Sequence, residues 1–130
     1  RYGVVRGLHY QLPPHAQSKL VRVTQGKVLD VVVDIRRGSP TFGRHVAVEL
    51  TEDNQRQLFI PRGFAHGFAV LSEMARLQYK CDNYYAPQSE GSIRYDDPTL
   101  DIDWTLTSKD IILSDKDRKN PLLTDARIFE

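Results

Sequence analysis

Along the chain, apolar residues recur at spacing two or in short β-branched runs, and Gly, Pro, Asn and Asp interrupt them about every ten residues. That rhythm predicts strands and tight turns. Lys19-Leu20-Val21-Arg22-Val23 alternates, and Thr24-Gln25-Gly26-Lys27 offers a turn into the run Val28 to Ile35, so the two segments are expected to form a hairpin. The second run is apolar almost throughout, which predicts a strand buried on both faces. A Gly/Ser/Pro loop from Arg37 to Gly43 precedes a strand at His45 to Leu50, and a polar turn at Thr51 to Arg56 leads into another at Gln57 to Ile60. Pro61-Arg62-Gly63 should break that strand into a bend that carries His66. The next strand is expected at Phe68 to Leu71, turning through Ser72-Glu73-Met74 into Arg76 to Cys81. Beyond a polar loop at Asn83 to Ser92, Ile93 to Asp96 reads as a strand, and Pro121 to Phe129 could hold a short terminal helix. Many short strands without a long helix predict an all-β antiparallel sandwich or barrel, for which the jelly roll is the obvious closed solution.

Composition narrows this picture in only a few respects. The length of 130 residues fits one domain, 1–130. Its 18 basic and 17 acidic residues are mixed along the chain, so the net charge of +1 excludes a broad field toward nucleic acid or a membrane surface. Any anion site must be local. Cys81 is the single cysteine, which excludes an internal disulfide and a cysteine-rich zinc site, fits a reducing cytoplasm, and is expected to be a small buried apolar residue. No apolar run approaches the roughly 20 residues of a membrane helix. The chain opens at Arg1 and passes at once into Tyr2-Gly3-Val4-Val5, which reads as the middle of a strand, so an N-terminal segment is expected to be missing.

Four segments carry candidate chemistry. In Arg6-Gly7-Leu8-His9-Tyr10-Gln11, alternation puts His9 and Gln11 on one face of a strand, either core or cavity. Arg6 lies an odd number of positions from His9, so the two share a face only if Gly7 provides a bulge. Lys19 falls on the face of Val21 and Val23, an unusual setting for an ammonium unless it lines a pocket. Ile60-Pro61-Arg62-Gly63-Phe64-Ala65-His66-Gly67-Phe68 holds a histidine among aromatics, and Tyr79 shares its face with Leu77 and Cys81. Taken singly, each has a plainer explanation: His9 and His66 as hydrogen-bonded structural residues, Lys19 and Lys80 reaching solvent, Tyr79 as a core aromatic, Asp117 as a cap, and Glu90 and Lys116 as surface charges.

Their joint order and spacing resemble the dTDP-4-dehydrorhamnose 3,5-epimerase family. The stretches are R-G-L-H-Y-Q, K-L-V-R, S-P-T-F-G, I-P-R-G-F-A-H-G-F, Y-K and N-Y-Y-A-P-Q-S-E-G, and the resemblance runs from Gly3 to about Leu123. It implies a cupin-type jelly roll, usually a homodimer, that acts on a dTDP-linked 4-keto-6-deoxyhexose without metal or organic cofactor. It further implies that His9 is the base removing a proton beside the ketone, that Asp117 fixes its tautomer, and that Tyr79 donates a proton from the opposite face. By the same resemblance Lys19 stabilises the enolate oxyanion, while Arg6, His66, Glu90 and Lys116 hold the sugar nucleotide and its diphosphate. His15 and His45 match no role.

Three other functions are distinguishable. A metal-dependent cupin enzyme would need two histidines at spacing two on one strand, and His9, His15, His45 and His66 offer no such pair. A non-catalytic sugar-nucleotide-binding protein would bind without exchanging any C–H. An epimerase acting on a single carbon would differ only in small details of the pocket.

Overall fold

The computed structural model describes residues 1–130. The valine-rich run forms β3 (Lys27–Asp34), held between β4 (His45–Thr51) and β6 (Phe64–Val70) by antiparallel ladders on both edges. Beyond β6 lie β1 (Val4–Gln11) and β8 (Glu90–Ser92), and β9 (Ile112–Leu113) adds a parallel pairing to β1. A second, three-stranded sheet has the order β5 (Gln57–Ile60), β2 (Lys19–Gln25), β7 (Arg76–Cys81). The result is an antiparallel jelly-roll sandwich.

Alternation along β3 explains why both of its faces are buried. Val28 and Val32 meet Val21, Val23, Leu50, Ile60 and Val70 in the space between the sheets. Leu29, Val31 and Val33 point the other way, into a larger cluster with Val5, Leu8, Tyr10, Ile93, Leu100 and Trp104. Each such aliphatic side chain contributes about 1.5–3 kcal/mol of burial free energy. The larger cluster is covered in part by the C-terminal third of the chain, whose Leu100, Trp104, Leu123 and Ile128 pack into it, while β4 at the sheet edge stays largely exposed. The gap between the two sheets holds a cavity lined from both of them.

Several local expectations are corrected. The strand near residue 93 ends at Ser92. Ile93 still exchanges both backbone hydrogen bonds with Leu8 (2.9 and 3.0 Å), but the Arg94 N–H turns away to the Pro121 carbonyl, and Arg94 pairs with Asp96. The Pro121 to Phe129 segment holds only a 3-10 turn at Leu123–Asp125, because Leu123 is buried and its N–H is bound by Asp97 Oδ2 at 2.7 Å. The one α-helical turn is instead α1 (Asp115–Arg118), capped by the Ser114 side chain. After the break at Pro61-Arg62-Gly63 the chain resumes as a strand at Phe64, so His66 lies within β6 and not on a bend. Cys81 is exposed, since β7 ends there at the rim of the small sheet. No helix is long and apolar enough to cross a membrane.

Candidate active site

The site begins with an irregularity in β1. Val4 packs toward the cluster between the sheets while Val5, Leu8 and Tyr10 face the other core, so the alternation slips by one residue after Arg6. The β1–β6 register breaks between Arg6 and His9, as a bulge requires. Gly7 makes the slip possible. Its φ is +129°, and a Cβ there would lie 2.7 Å from the Gly67 Cα, so no larger residue fits. Arg6 and His9 consequently face the same cavity.

His9 is anchored from behind. Its Nε2 lies 2.9 Å from Asp117 Oδ1, a carboxylate only 2% exposed. Asp117 also accepts the Gly7 N–H (3.3 Å) and the Asn120 side-chain amide (3.2 Å), and Asn120 donates in addition to the Gly7 carbonyl (3.1 Å). One buried carboxylate therefore fixes the bulge and the imidazole together. With Nε2–H donated to Asp117, the lone pair resides on Nδ1, which is sheltered from solvent and makes no hydrogen bond; the nearest carboxylate to it is Glu90, at 3.9 Å.

Opposite stands the small sheet. β2 and β7 pair Lys19 with Cys81, Val21 with Tyr79 and Val23 with Leu77, which turns Lys19, Tyr79 and Leu77 inward. A cavity of about 320 Å³ is lined by these three with Arg6, His9, His66 and Phe68. An adjoining space of about 280 Å³ shares His9, Lys19 and Tyr79 and adds Tyr85, Glu90 and Lys116. There Glu90 accepts hydrogen bonds from Lys116 Nζ (2.6 Å) and the Tyr85 hydroxyl (2.7 Å). His66, directly opposite His9 in the β1–β6 ladder, is hydrogen-bonded to Asp30.

Two spaces lined by an imidazole, an ammonium, a phenol and a guanidinium suit an anionic ligand with a carbonyl. Comparison with known proteins decides what kind. Residues 1–125 match the sequence model of the family described as dTDP-4-dehydrorhamnose 3,5-epimerase. The chain belongs to that family. It is 54% identical over 127 residues to the dTDP-4-dehydrorhamnose 3,5-epimerase of Pseudomonas aeruginosa, covering 98% of this chain and 69% of the relative. The crystal structure of the Elizabethkingia anophelis dTDP-4-dehydrorhamnose 3,5-epimerase superposes with a TM-score of 0.94 at 52% identity, over 95% of this chain and 68% of that one. The Legionella pneumophila dTDP-6-deoxy-D-glucose-3,5-epimerase in complex with dTDP-4-keto-L-rhamnose has a TM-score of 0.92 at 56% identity, over 96% of this chain and 65% of that one. The chain thus spans about two thirds of the length of these relatives, and its jelly roll is the cupin-like fold of the epimerase family.

Within this member of the epimerase family, electrostatics separates the ionisable groups. Burial lowers the pKa of His9, outweighing the upward pull of Asp117 and then Glu90, so the ring is neutral at pH 7. Burial likewise lowers Lys19 from 10.5, opposed by Cys81, Asp30 and Glu90. Burial pushes Glu90 upward, but the hydrogen bonds from Lys116 and Tyr85 prevail and hold its carboxyl below the usual range. Lys116 is raised in turn by that hydrogen bond.

All eight residues singled out from the sequence meet here: Arg6, His9, Lys19, His66, Tyr79, Glu90 and Lys116 line the two spaces, and Asp117 backs His9. Tyr79 is 61% exposed, so it reads as a wall of the cavity and not as a core aromatic. Sequence reasoning missed Asn120, Asp30 and Tyr85. An aspartate in the middle of an otherwise valine-rich strand was the one available signal for Asp30.

Proposed function

We propose that the chain inverts the two carbons flanking the ketone of dTDP-4-dehydro-6-deoxy-D-glucose, giving dTDP-4-dehydro-L-rhamnose. The observation that carries this reading is the His9–Asp117 pair, a neutral imidazole of fixed tautomer in a cavity whose far wall presents an ammonium and a phenol.

A C–H beside a ketone is acidic because the electron pair left on carbon moves onto the carbonyl oxygen. His9 takes the proton and becomes an imidazolium, stabilised by the Asp117 carboxylate at 2.9 Å. The enolate oxygen gains negative charge, which Lys19 offsets in a site partly shielded from water. Collapse of the enolate returns the electron pair to carbon, and the Tyr79 hydroxyl supplies the proton on the other face. Each inversion leaves His9 with one proton more and Tyr79 with one fewer. Both must re-equilibrate with solvent before the second carbon reacts, so solvent hydrogen enters the product. Arg6, with its fork of donors, and Lys116 offer positive charge to the diphosphate. These steps use only side chains of the protein.

The test is incubation with the keto sugar nucleotide in deuterated water, following label at both carbons beside the ketone. Wild type incorporates deuterium at both, His9→Ala at neither, and Tyr79→Phe exchanges without inverting. Label at one carbon only would make the enzyme a single-carbon epimerase. Binding without label would make it a sugar-nucleotide-binding protein, and full exchange by His9→Ala would overturn the base. The same reading carries a homodimer in the cytoplasm with no nucleic-acid or membrane partner; light scattering of the purified protein tests the dimer.

A further inference from the structure

Asp30 is completely buried, on the face of β3 it shares with Val28 and Val32 between the sheets. An ionised carboxylate among valines costs several kcal/mol unless its oxygens are satisfied. Oδ1 is satisfied by His66 Nε2, which reaches it diagonally, since Asp30 pairs with Phe68 and Val32 with His66 across the β3–β6 ladder. Oδ2 is buried with no hydrogen-bond partner. On the opposing sheet Lys19 faces inward and takes part in none of the chain's ion pairs. A buried anion and an unpaired cation therefore face the same interior without touching.

The arrangement parallels the pair already described. His9 and His66 are cross-strand neighbours, which places their Cβ atoms about 5 Å apart, and each is backed by a buried carboxylate. Donation of Nε2–H to Asp30 leaves Nδ1 of His66 as the ring nitrogen free for a ligand in the cavity that His66 lines. Packing alone does not call for a carboxylate at this point. A hydrocarbon of the same size would fill the space between Val28 and Val32 without the desolvation cost.

We propose that Asp30 is a positioning residue of the active site, fixing the His66 ring with one oxygen and, through the charge of the carboxylate, holding the Lys19 ammonium toward the enolate oxygen. This assignment rests on the epimerase reading and deepens it. The titratable groups that share the two spaces with Lys19 or face it are Arg6, His9 and Tyr10 on β1, His66 on β6, Tyr79 and Cys81 on β7, Tyr85 in the loop after it, Glu90 on β8, Lys116 on α1, and Asp30 on β3. Of these, Cys81, Asp30 and Glu90 raise the pKa that burial lowers. Loss of Asp30 therefore lowers it further, and the ammonium is lost at a lower pH.

The test compares wild type, Asp30→Asn and Asp30→Leu on the keto sugar nucleotide, with thermal unfolding measured in parallel. Asp30→Leu is expected to unfold somewhat earlier than wild type, because the buried His66 N–H loses its acceptor, while kcat falls about 10- to 100-fold, more than the lost stability explains, and KM changes little. Asp30→Asn is expected to move the alkaline limb of kcat/KM to lower pH by about one unit. An inactive wild type sinks the epimerase reading itself. An active wild type with variants that keep its kcat and alkaline limb sinks the Asp30 assignment alone. Activity lost only in step with unfolding temperature, with the limb unmoved, also overturns it. Should neither variant fold, long-range ¹H–¹⁵N spectra of the wild type decide: a His66 proton on Nε2 supports the assignment, and one confined to Nδ1 refutes it.

Discussion

Replacing Asp117 with asparagine keeps its shape and removes its charge. Oδ1 serves two donors, His9 Nε2 at 2.9 Å and Asn120 Nδ2 at 3.2 Å, whereas Oδ2 serves one, the Gly7 N–H at 3.3 Å. The new amide therefore turns its oxygen toward His9 and Asn120 and its NH₂ toward Gly7. That orientation keeps the His9 tautomer but sets two donors against each other at the bulge, costing about 1–3 kcal/mol of stability. The charge-assisted bond to the imidazolium is also lost. At about 1.5–3 kcal/mol this lowers kcat about 10- to 150-fold, since 1.4 kcal/mol is a factor of ten. Asp117 is the leading group raising the His9 pKa, so its neutralisation also moves the acid limb of kcat/KM to lower pH. The assay is initial-rate deuterium incorporation from pH 4 to 9 beside urea denaturation. A variant within about twofold of wild-type kcat, with an unmoved acid limb, would refute the dyad, because no charge would then have been acting on the ring.

Other perturbations separate scaffold from chemistry. In the wild type, the buried base should stay deprotonated below the ordinary histidine value of 6.5, so the acid limb of kcat/KM should fall at lower pH; a limb above 6.5 contradicts the burial argument. Lys19→Met should lower kcat about 10²- to 10³-fold with a smaller change in KM, and a raised KM with kcat unchanged would place the ammonium on the diphosphate. Gly7→Ala forces a Cβ to 2.7 Å from the Gly67 Cα at φ +129° and should cost about 2–4 kcal/mol in urea denaturation; an unaffected variant would mean that the bulge is not fixed.

The sequence alone settled what depends on near neighbours. Period-two alternation placed Lys19 beside Val21 and Tyr79 beside Leu77, and the unbroken valines of β3 forecast burial on both faces, because the pleat alone decides which way a strand side chain points. Gly7 even marked the bulge that Arg6 and His9 needed. Contacts between distant residues were beyond it. Asp117 meets the Gly7 N–H 110 positions away, and Asn120 meets the Gly7 carbonyl 113 positions away; neither residue carries a local pattern that sets it apart from a helix cap or a polar turn. The ends of β6 and β8 and the missing terminal helix were misjudged for the same cause. Propensity within a short segment yields to the partners that tertiary packing supplies, as when Pro121 captures the Arg94 N–H and Asp97 captures that of Leu123. Which polar side chains are buried, and against what, is a property of the closed sandwich. Only the tertiary structure could place Asp30 behind His66.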